Sequence, residues 1–259
     1  MFLEYLKFFG IGLLDGILAG LLGIGGGVLI IPVLIYITDV GVKVSTAISV
    51  VQVFFASSFG TLFNYLQKTI NFRLALLFGL SSGFSYFFGS YFTRYIPNDT
   101  IKIIYLGAVV LALALFSIKK EPNIKNIDSS KNLIPHKKSY LKIISVALPA
   151  GFAFGILGVG GGFLYVPLLV LMFNIPLKVA IGTSLMIVLF NAIPGVIGKL
   201  ITIRFDFFIG LAVAIGAIIG SRIGTYINKK IKAKVIRIIF IILLVIIIIR
   251  VVLDIFSIL

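Results

Sequence analysis

The sequence contains no cysteine, no tryptophan and a single histidine among its 259 residues. Without cysteine the chain has no disulfide, thiolate metal site or thiol nucleophile. His136 lies in a polar stretch, where an ordinary solvated residue is expected rather than a proton relay. No glycine-rich phosphate loop ends in Lys-Ser or Lys-Thr. We therefore expect no enzyme chemistry, no catalytic residue, no metal and no cofactor.

Acidic residues are also scarce, with eight Asp and Glu against 23 Lys and Arg and a net charge of +15. In a soluble protein this charge would suggest nucleic acid as a partner. Here 60% of the residues are hydrophobic and the mean hydropathy is +1.22, which indicates a polytopic α-helical membrane protein. The basic residues lie between apolar segments, as the positive-inside rule predicts. The expected partner is the lipid bilayer of the cell (inner or plasma) membrane and not nucleic acid.

The apolar segments form two sets of four around a polar stretch. They lie at 8–37, 44–67, 74–96, 100–118, 141–173, 179–200, 207–227 and 235–256. Glu4 and Lys7 make a poor start for a signal peptide, so the first segment is expected to be retained. We divide the chain into a first membrane repeat at 1–118, a cytoplasmic linker at 119–140 and a second membrane repeat at 141–259.

A glycine-rich sequence occurs twice. Gly20–Pro32 and Gly155–Pro167 align at an offset of 135, with every glycine and the proline matched. The match continues at Lys43 and Lys178, Ser49 and Ser184, and Gly60 and Gly195. A repeat at about half the chain length indicates two homologous halves.

The glycine clusters are expected to break their helices, since each glycine costs about 1 kcal/mol relative to alanine. A broken helix is tolerated at membrane depth where it is buried or lines a cavity. The restarting helix would expose free N–H groups and the positive end of its dipole to an anion. Close helix packing is the alternative role for such glycines. The candidate substrate-binding glycines are Gly25, Gly26, Gly27, Gly160, Gly161 and Gly162.

The first segment of each half has an unusual length. A straight helix of some 30 residues would be about 45 Å long, too long for one crossing and too short for two. Two half-helices that meet near the midplane and return to the same side fit this length. Each half would then add three spanning helices, and the two halves would form an inverted repeat.

Loop charges favour this arrangement. With the linker in the cytoplasm, it places 16 of the 23 basic residues inside, whereas a plain eight-span arrangement places 13 there. The positive-inside rule therefore predicts a cytoplasmic linker with both chain termini outside.

Polar side chains inside the apolar segments are few enough to be candidates for function. Ser45, Thr46, Ser49 and Gln52 form a stripe along one helix face, and Thr183, Ser184 and Asn191 lie in the equivalent element. Such hydroxyls and amides could donate hydrogen bonds to an anion, or they could join helices. The candidate substrate-binding residues on these elements are Ser49, Gln52, Thr183, Ser184 and Asn191.

Two charged residues within the segments have alternative interpretations. Asp15 lies just before the first glycine cluster and could carry a coupling proton or bind a cation. It could equally lie near an interface or pair with a basic residue. Lys199, which aligns with Asn64, is interpreted as a lysine that snorkels at a helix end, with attraction of an anion as the alternative.

The two copies of Gly-Ile/Val-Gly-Gly-Gly with an aliphatic run and Pro, and Gly182-Thr183-Ser184-Leu185 downstream, resemble the TauE/SafE family of sulfite and sulfonate exporters, also called the toluene-sulfonate uptake permease family. The resemblance covers essentially the whole chain. It implies a transporter of sulfite, thiosulfate, sulfonates or related carboxylates, in either direction. The first half departs from the pattern, with Ala47-Ile48-Ser49-Val50 in place of Gly-Thr-Ser-Leu, so a shared site would be asymmetric.

The leading hypothesis is a secondary transporter that holds a small anion at the two glycine breaks, with proton or sodium coupling. A passive anion channel or facilitator is one alternative. A membrane scaffold or maturation subunit without transport activity is another. A homodimer is an allowed assembly.

Overall fold

A computed structural model describes residues 2–38, 40–117 and 137–257. All of the regular structure in these ranges is helical. The helices are α1 Phe2–Leu22, α2 Ile30–Ile37, α3 Val42–Leu66, α4 Phe72–Phe92, α5 Asn98–Ser117, α6 Lys137–Leu157, α7 Gly162–Phe173, α8 Leu177–Thr202, α9 Phe207–Lys230 and α10 Ala233–Ser257. All but α2 and α7 are long and apolar enough to cross a membrane. The prediction of a polytopic all-α membrane protein is confirmed, while His136 and most of the predicted linker lie outside the described residues.

Both glycine clusters interrupt the helices as predicted. Between α1 and α2 the φ angles of Gly23, Gly25, Gly26 and Gly27 are 72°, 72°, 78° and 75°. Between α6 and α7 those of Gly158, Gly160 and Gly161 are 70°, 68° and 82°. This left-handed region is open to glycine and strained for other residues, so the right-handed helix cannot continue through it.

The helices that precede the breaks are longer than the predicted half-helices. Helices α1 and α6 have 21 residues each, or about 31 Å, and are therefore not half-helices by length. The helices that follow are much shorter, with eight residues in α2 and 12 in α7. The difference arises because α1 and α6 begin at Phe2 and Lys137, before the predicted apolar segments start at residues 8 and 141.

Helix α1 packs along α9 through backbone-to-backbone contacts. The contacting pairs are Gly12 with Val213, Gly16 with Ala217, and Gly20 with Ser221. Residue numbers rise together along this contact, so the two helices run in the same direction. A Cβ atom at any of these glycines would overlap the α9 backbone. Small residues at this spacing are what allow membrane helices such close approach.

Helix α6 makes the equivalent contact with α4. The pairs here are Gly151 with Ser82, and Gly155 with Tyr86. These two helices also run in the same direction. The first helix of each half therefore packs against the other half, so the two halves are interleaved.

Helix directions follow from the remaining contacts. Gly210 of α9 faces Val51 of α3, and the Arg222 guanidinium lies 6.0 Å from the centre of the Phe63 ring, so α3 is parallel to α9. Because α1 is also parallel to α9, α1 and α3 run the same way. Residues 23–41 therefore connect two helices that run in the same direction.

The second half shows the same relation. Helix α8 is parallel to α4, because Gly79 faces Phe190 and Gly198 faces Ser90. Helix α6 is parallel to α4 as well, so α6 and α8 run the same way. Residues 158–176 connect these two helices.

Candidate functional site

The two glycine breaks meet in the interior of the protein. Gly162 lies against the backbone of Gly23 and Ile24, and Gly27 lies against the backbone of Val159. These residues are buried. Since the glycines lack side chains, the two backbones approach directly, and the breaks form one central region rather than two separate ones.

A symmetric pair of hydrogen bonds joins the breaks to the opposite halves. The Ser184 hydroxyl donates to the Gly23 carbonyl at 2.6 Å, and the Ser49 hydroxyl donates to the Gly158 carbonyl at 2.8 Å. The four residues are related by the repeat offset of 135. Each serine satisfies a carbonyl that the end of α1 or α6 leaves without a helical partner. The two predicted site serines therefore lie at the breaks.

On the second-half side, Asn191 is the centre of a buried polar cluster. Its Nδ2 donates to the Tyr165 hydroxyl at 2.8 Å and to the Gly160 carbonyl at 3.4 Å. Its Oδ1 accepts a hydrogen bond from the Ser82 hydroxyl at 2.6 Å. The Gly160 N–H donates to the Tyr86 hydroxyl at 3.4 Å. Asn191 thus contacts the break. The Gly160 N–H group, which was predicted to face an anion, instead donates to the Tyr86 hydroxyl.

On the first-half side, Asp15 and Gln52 form a buried pair beside Gly26. Gln52 Nε2 donates to Asp15 Oδ2 at 2.7 Å. Asp15 is 3% exposed and Gln52 is 0% exposed. Asp15 Oδ1 and Gln52 Oε1 form no hydrogen bond of good geometry among the described residues, and the backbone N–H groups of Gly27 and Ile30 lie beside the Asp15 carboxyl group. Within the described residues Asp15 is therefore buried and forms no ion pair with a basic residue.

Thr183 has a different role from the other predicted site residues. Its hydroxyl accepts a hydrogen bond from the Asn71 N–H at 3.0 Å, at the beginning of α4. The Asn71 side chain in turn caps α4 by accepting from the Leu74 N–H at 3.2 Å. These contacts place Thr183 at the α3–α4 turn and not at the glycine break.

Lys199 is buried, with 1% exposure. Its ammonium donates to Thr93 Oγ1 at 2.7 Å, to Thr46 Oγ1 at 3.0 Å and to the Ile156 carbonyl at 3.1 Å. The interpretation as a snorkelling lysine is therefore wrong. Helix α8 continues to Thr202 and packs against α3 and α4, so the side chain reaches into protein rather than toward water.

The polar stripe on α3 connects these groups. Thr46 contacts Lys199, Ser49 contacts Gly158, and Gln52 contacts Asp15. Six residues of helix span about 9 Å, so the buried lysine and the buried aspartate lie at levels of α3 that differ by this distance. Across the ranges 2–38, 40–117 and 137–257, no three His, Cys, Asp or Glu side chains are grouped to hold a metal ion.

Comparison with known proteins fits this architecture. The chain matches the family model of the sulfite exporter TauE/SafE over residues 8–251. The chain belongs to the TauE/SafE family. It is 28% identical over 225 residues to the "Probable membrane transporter protein YunE" of Bacillus subtilis, covering 80% of this chain and 82% of YunE. It is 31% identical over 196 residues to a "Probable membrane transporter protein" of Methanocaldococcus jannaschii, covering 73% of this chain and 70% of that protein. No solved structure matches significantly.

The protein is therefore a multi-pass membrane transporter of the TauE/SafE family. Sequence reasoning missed three residues at its centre, Ser82, Tyr86 and Tyr165. Tyr165 lies inside the repeated motif, where the first half has Ile30, and this difference between the copies was a usable signal. Ser82 and Tyr86 lie on α4, far from the motif in sequence, and only the α4–α6 and α4–α8 contacts bring them to Asn191 and Gly160.

Proposed function

We propose that this TauE/SafE transporter is a secondary transporter of a small anion, such as sulfite, thiosulfate, a sulfonate or a related carboxylate, held at the two glycine breaks. The observation that carries the proposal is the meeting of the breaks, with Gly162 against Gly23. Hydrogen-bonding side chains from Ser49, Ser184 and Asn191 converge there. Neutral donors can bind an anion without a buried opposing charge.

The proposed site is closed in the described arrangement. The six candidate glycines are buried, and the serine hydroxyls donate to backbone carbonyls. Substrate binding therefore requires the breaks to separate, so that these donors exchange their internal partners for the anion. Because each break is held by a serine of the other half, separation moves the halves relative to one another, which suits alternating access.

The proposed topology is an inverted repeat with re-entrant first segments. The parallel course of α1 and α3, and that of α6 and α8, supports the return of each first segment to its side of departure. Helices α3 and α8 run in opposite directions, because Gly60 faces Leu185 while Gly195 faces Val50. This supports opposite orientations of the halves. From this and the loop charges we propose that both chain termini lie outside and residues 119–140 inside.

Coupling is assigned to Asp15. Asp15 Oδ2 and Gln52 Oε1 lie beside Gly26, next to the proposed substrate position. A proton on the carboxyl group could be donated to Gln52 Oε1, or a sodium ion could bind between the Asp15 and Gln52 oxygens.

The test uses purified protein and a panel of sulfite, thiosulfate, sulfate, methanesulfonate, acetate and chloride. A bound ligand should raise the apparent melting temperature, because it stabilises the native state alone. The same protein in liposomes should show saturable flux of that anion driven by a proton or sodium gradient. Flux that ignores both gradients would indicate a passive facilitator, and no flux in a well-folded sample would favour a scaffold role.

A further inference from the structure

We propose that Lys199, with the hydroxyls of Thr46 and Thr93, forms a second anion-binding position at the end of α6, on the side of the membrane where α3 begins. The inference rests on the proposed function, because it concerns the route of the transported anion. Its ligand class is a small oxyanion such as sulfite or thiosulfate. It differs from the glycine breaks in supplying an amine, which a neighbouring oxyanion would hold in its positively charged form.

Among the described residues, no carboxylate accepts a hydrogen bond from Lys199. The three oxygens that accept hydrogen bonds from the Lys199 ammonium belong to two hydroxyls and one carbonyl. A buried ammonium without a carboxylate is costly, and dipoles offset only part of the cost. The next positive charge that acts on it, Lys43, lies on the same α3 face one turn before Thr46 and adds to the deficit. A bound oxyanion would supply the missing negative charge.

The ends of α6 and α1, which are equivalent in the repeat, are capped differently. At the end of α1, the Leu21 carbonyl accepts a hydrogen bond from the Asn228 side-chain amide. Leu21 is the repeat equivalent of Ile156, whose carbonyl accepts from Lys199. A neutral amide is therefore sufficient to cap such a helix end. The lysine adds a charge that capping alone does not need.

The residue aligned with Lys199 strengthens this comparison. Asn64 occupies that position in the first half, and its Nδ2 donates to the Gly60 carbonyl at 2.8 Å, within its own helix. Helix packing at this position of the repeat thus tolerates an uncharged side chain. The charge is a specific property of the second half.

A cleft lies next to the proposed position. Thr46 lines a narrow cleft between α2, α3, α5 and α10, with room for about one water molecule (about 20 Å³). Tyr36, Lys102 and Tyr105 line the same cleft. Thr46 therefore has the cleft on one side and Lys199 on the other, and the cleft must widen to admit an oxyanion. Lys102 in this cleft is paired with Asp254, so Lys43 is the cation on this side that would draw anions toward it.

The position also leads to the glycine breaks. Ser49 lies one helical turn beyond Thr46 on α3, and its hydroxyl donates to the Gly158 carbonyl. An anion at Lys199 is thus one turn of α3, about 4.5 Å along the axis, from the first contact with the breaks. We assign Lys199 to the capture of the anion before it reaches the centre.

The experiment measures sulfite and thiosulfate binding to purified full-length protein by calorimetric titration at fixed ionic strength. Lys199→Asn removes the charge, the aligned Asn64 shows that a helix accepts asparagine at this position of the repeat, and the Thr93 hydroxyl still donates to the Ile156 carbonyl. Loss of a charge-assisted hydrogen bond should raise the Kd roughly 10- to 100-fold. Lys199→Arg should retain more of the affinity than Lys199→Asn. The matched control is Lys178→Asn, which removes a lysine at the repeat equivalent of Lys43 and should leave the Kd unchanged.

Three outcomes are decisive. If wild type binds the anions and Lys199→Asn binds them equally well, the lysine position is wrong while the proposed function stands. If wild type binds none of the anions, the proposed function fails and the inference falls with it. If Lys199→Asn does not yield monodisperse protein, Thr46→Val and Thr93→Val remove the other two groups, and an unchanged Kd in both would overturn the inference.

Discussion

Asp15 and Gln52 form a buried pair beside Gly26, and this predicts separable effects of Asp15→Asn. The new amide can donate to Gln52 Oε1, so the fold should be retained. The variant cannot take up a proton or attract a cation. Gradient-driven uptake should fall at least tenfold, about 1.4 kcal/mol, while exchange of substrate for substrate stays within about twofold.

Liposome flux in the two modes measures this difference. Asp99→Asn, an exposed acid in the first turn of α5, is the matched control and should change neither mode. Equal loss of both modes, or of neither, would contradict a coupling role.

The glycines of the breaks differ sharply from glycines elsewhere. At Gly26 the φ angle is 78°, and an added Cβ would meet the Gln52 amide and the Asp15 carboxyl. Gly26→Ala should therefore cost about 2–4 kcal/mol, from a left-handed backbone and from overpacking. Gly161→Ala should behave similarly, because its Cβ would overlap the Phe154 ring.

Gly107 of α5 is the control, since no atom lies within 4 Å of an added Cβ there. Gly107→Ala should be neutral or stabilising by up to about 1 kcal/mol. Melting temperature and flux per mole of folded protein are both measured, because only loss of flux beyond loss of fold supports a substrate role. Normal stability and flux in the Gly26 and Gly161 variants would remove the breaks from the site.

The packing of helix α1 against helix α9 depends on close contact between the two backbones. Gly16 faces Ala217 closely enough that a methyl group would force the helices apart. We expect Gly16→Ala to destabilise the protein by about 1–3 kcal/mol through overpacking, despite the better helix propensity of alanine. Gly10→Ala, on the same helix with nothing within 4 Å, should gain stability instead. Thermal unfolding in detergent compares the two, and equal melting temperatures would show that α1 and α9 are not in such close contact.

For the whole molecule, the testable property is its orientation. Cysteines at Ser129 and Lys232 should be protected from an impermeant thiol reagent in intact cells, and cysteines at Asn98 and Arg204 should be labelled. The absence of native cysteine makes each signal specific. Asn98 begins α5, shortly after the end of α4, and Arg204 follows the end of α8, which runs in the same direction as α4. Labelling of Lys232→Cys but not Ser129→Cys would rule out the inverted repeat.

The sequence by itself determined the membrane class, the two halves, the positions of the helix breaks and the polar stripe on α3. Each of these depends on local chemistry. Hydrophobic runs must lie in lipid, clustered glycines cannot hold a helix, and polar residues at helical spacing share a face. The length of α1 does not follow from the apolar run, because the helix begins at Phe2, before that run starts.

Tertiary structure alone decided which polar groups meet. Ser49 and Gly158 are 109 residues apart, and Lys199 and Thr46 are 153 apart. Whether Lys199 snorkels or is buried depends on helices α3, α4 and α6, which surround it from distant parts of the chain. Asp15 likewise has its partner, Gln52, on another helix. Side-chain partners in a helical membrane protein are set by interhelical packing, and the periodicity of a single helix does not contain that information.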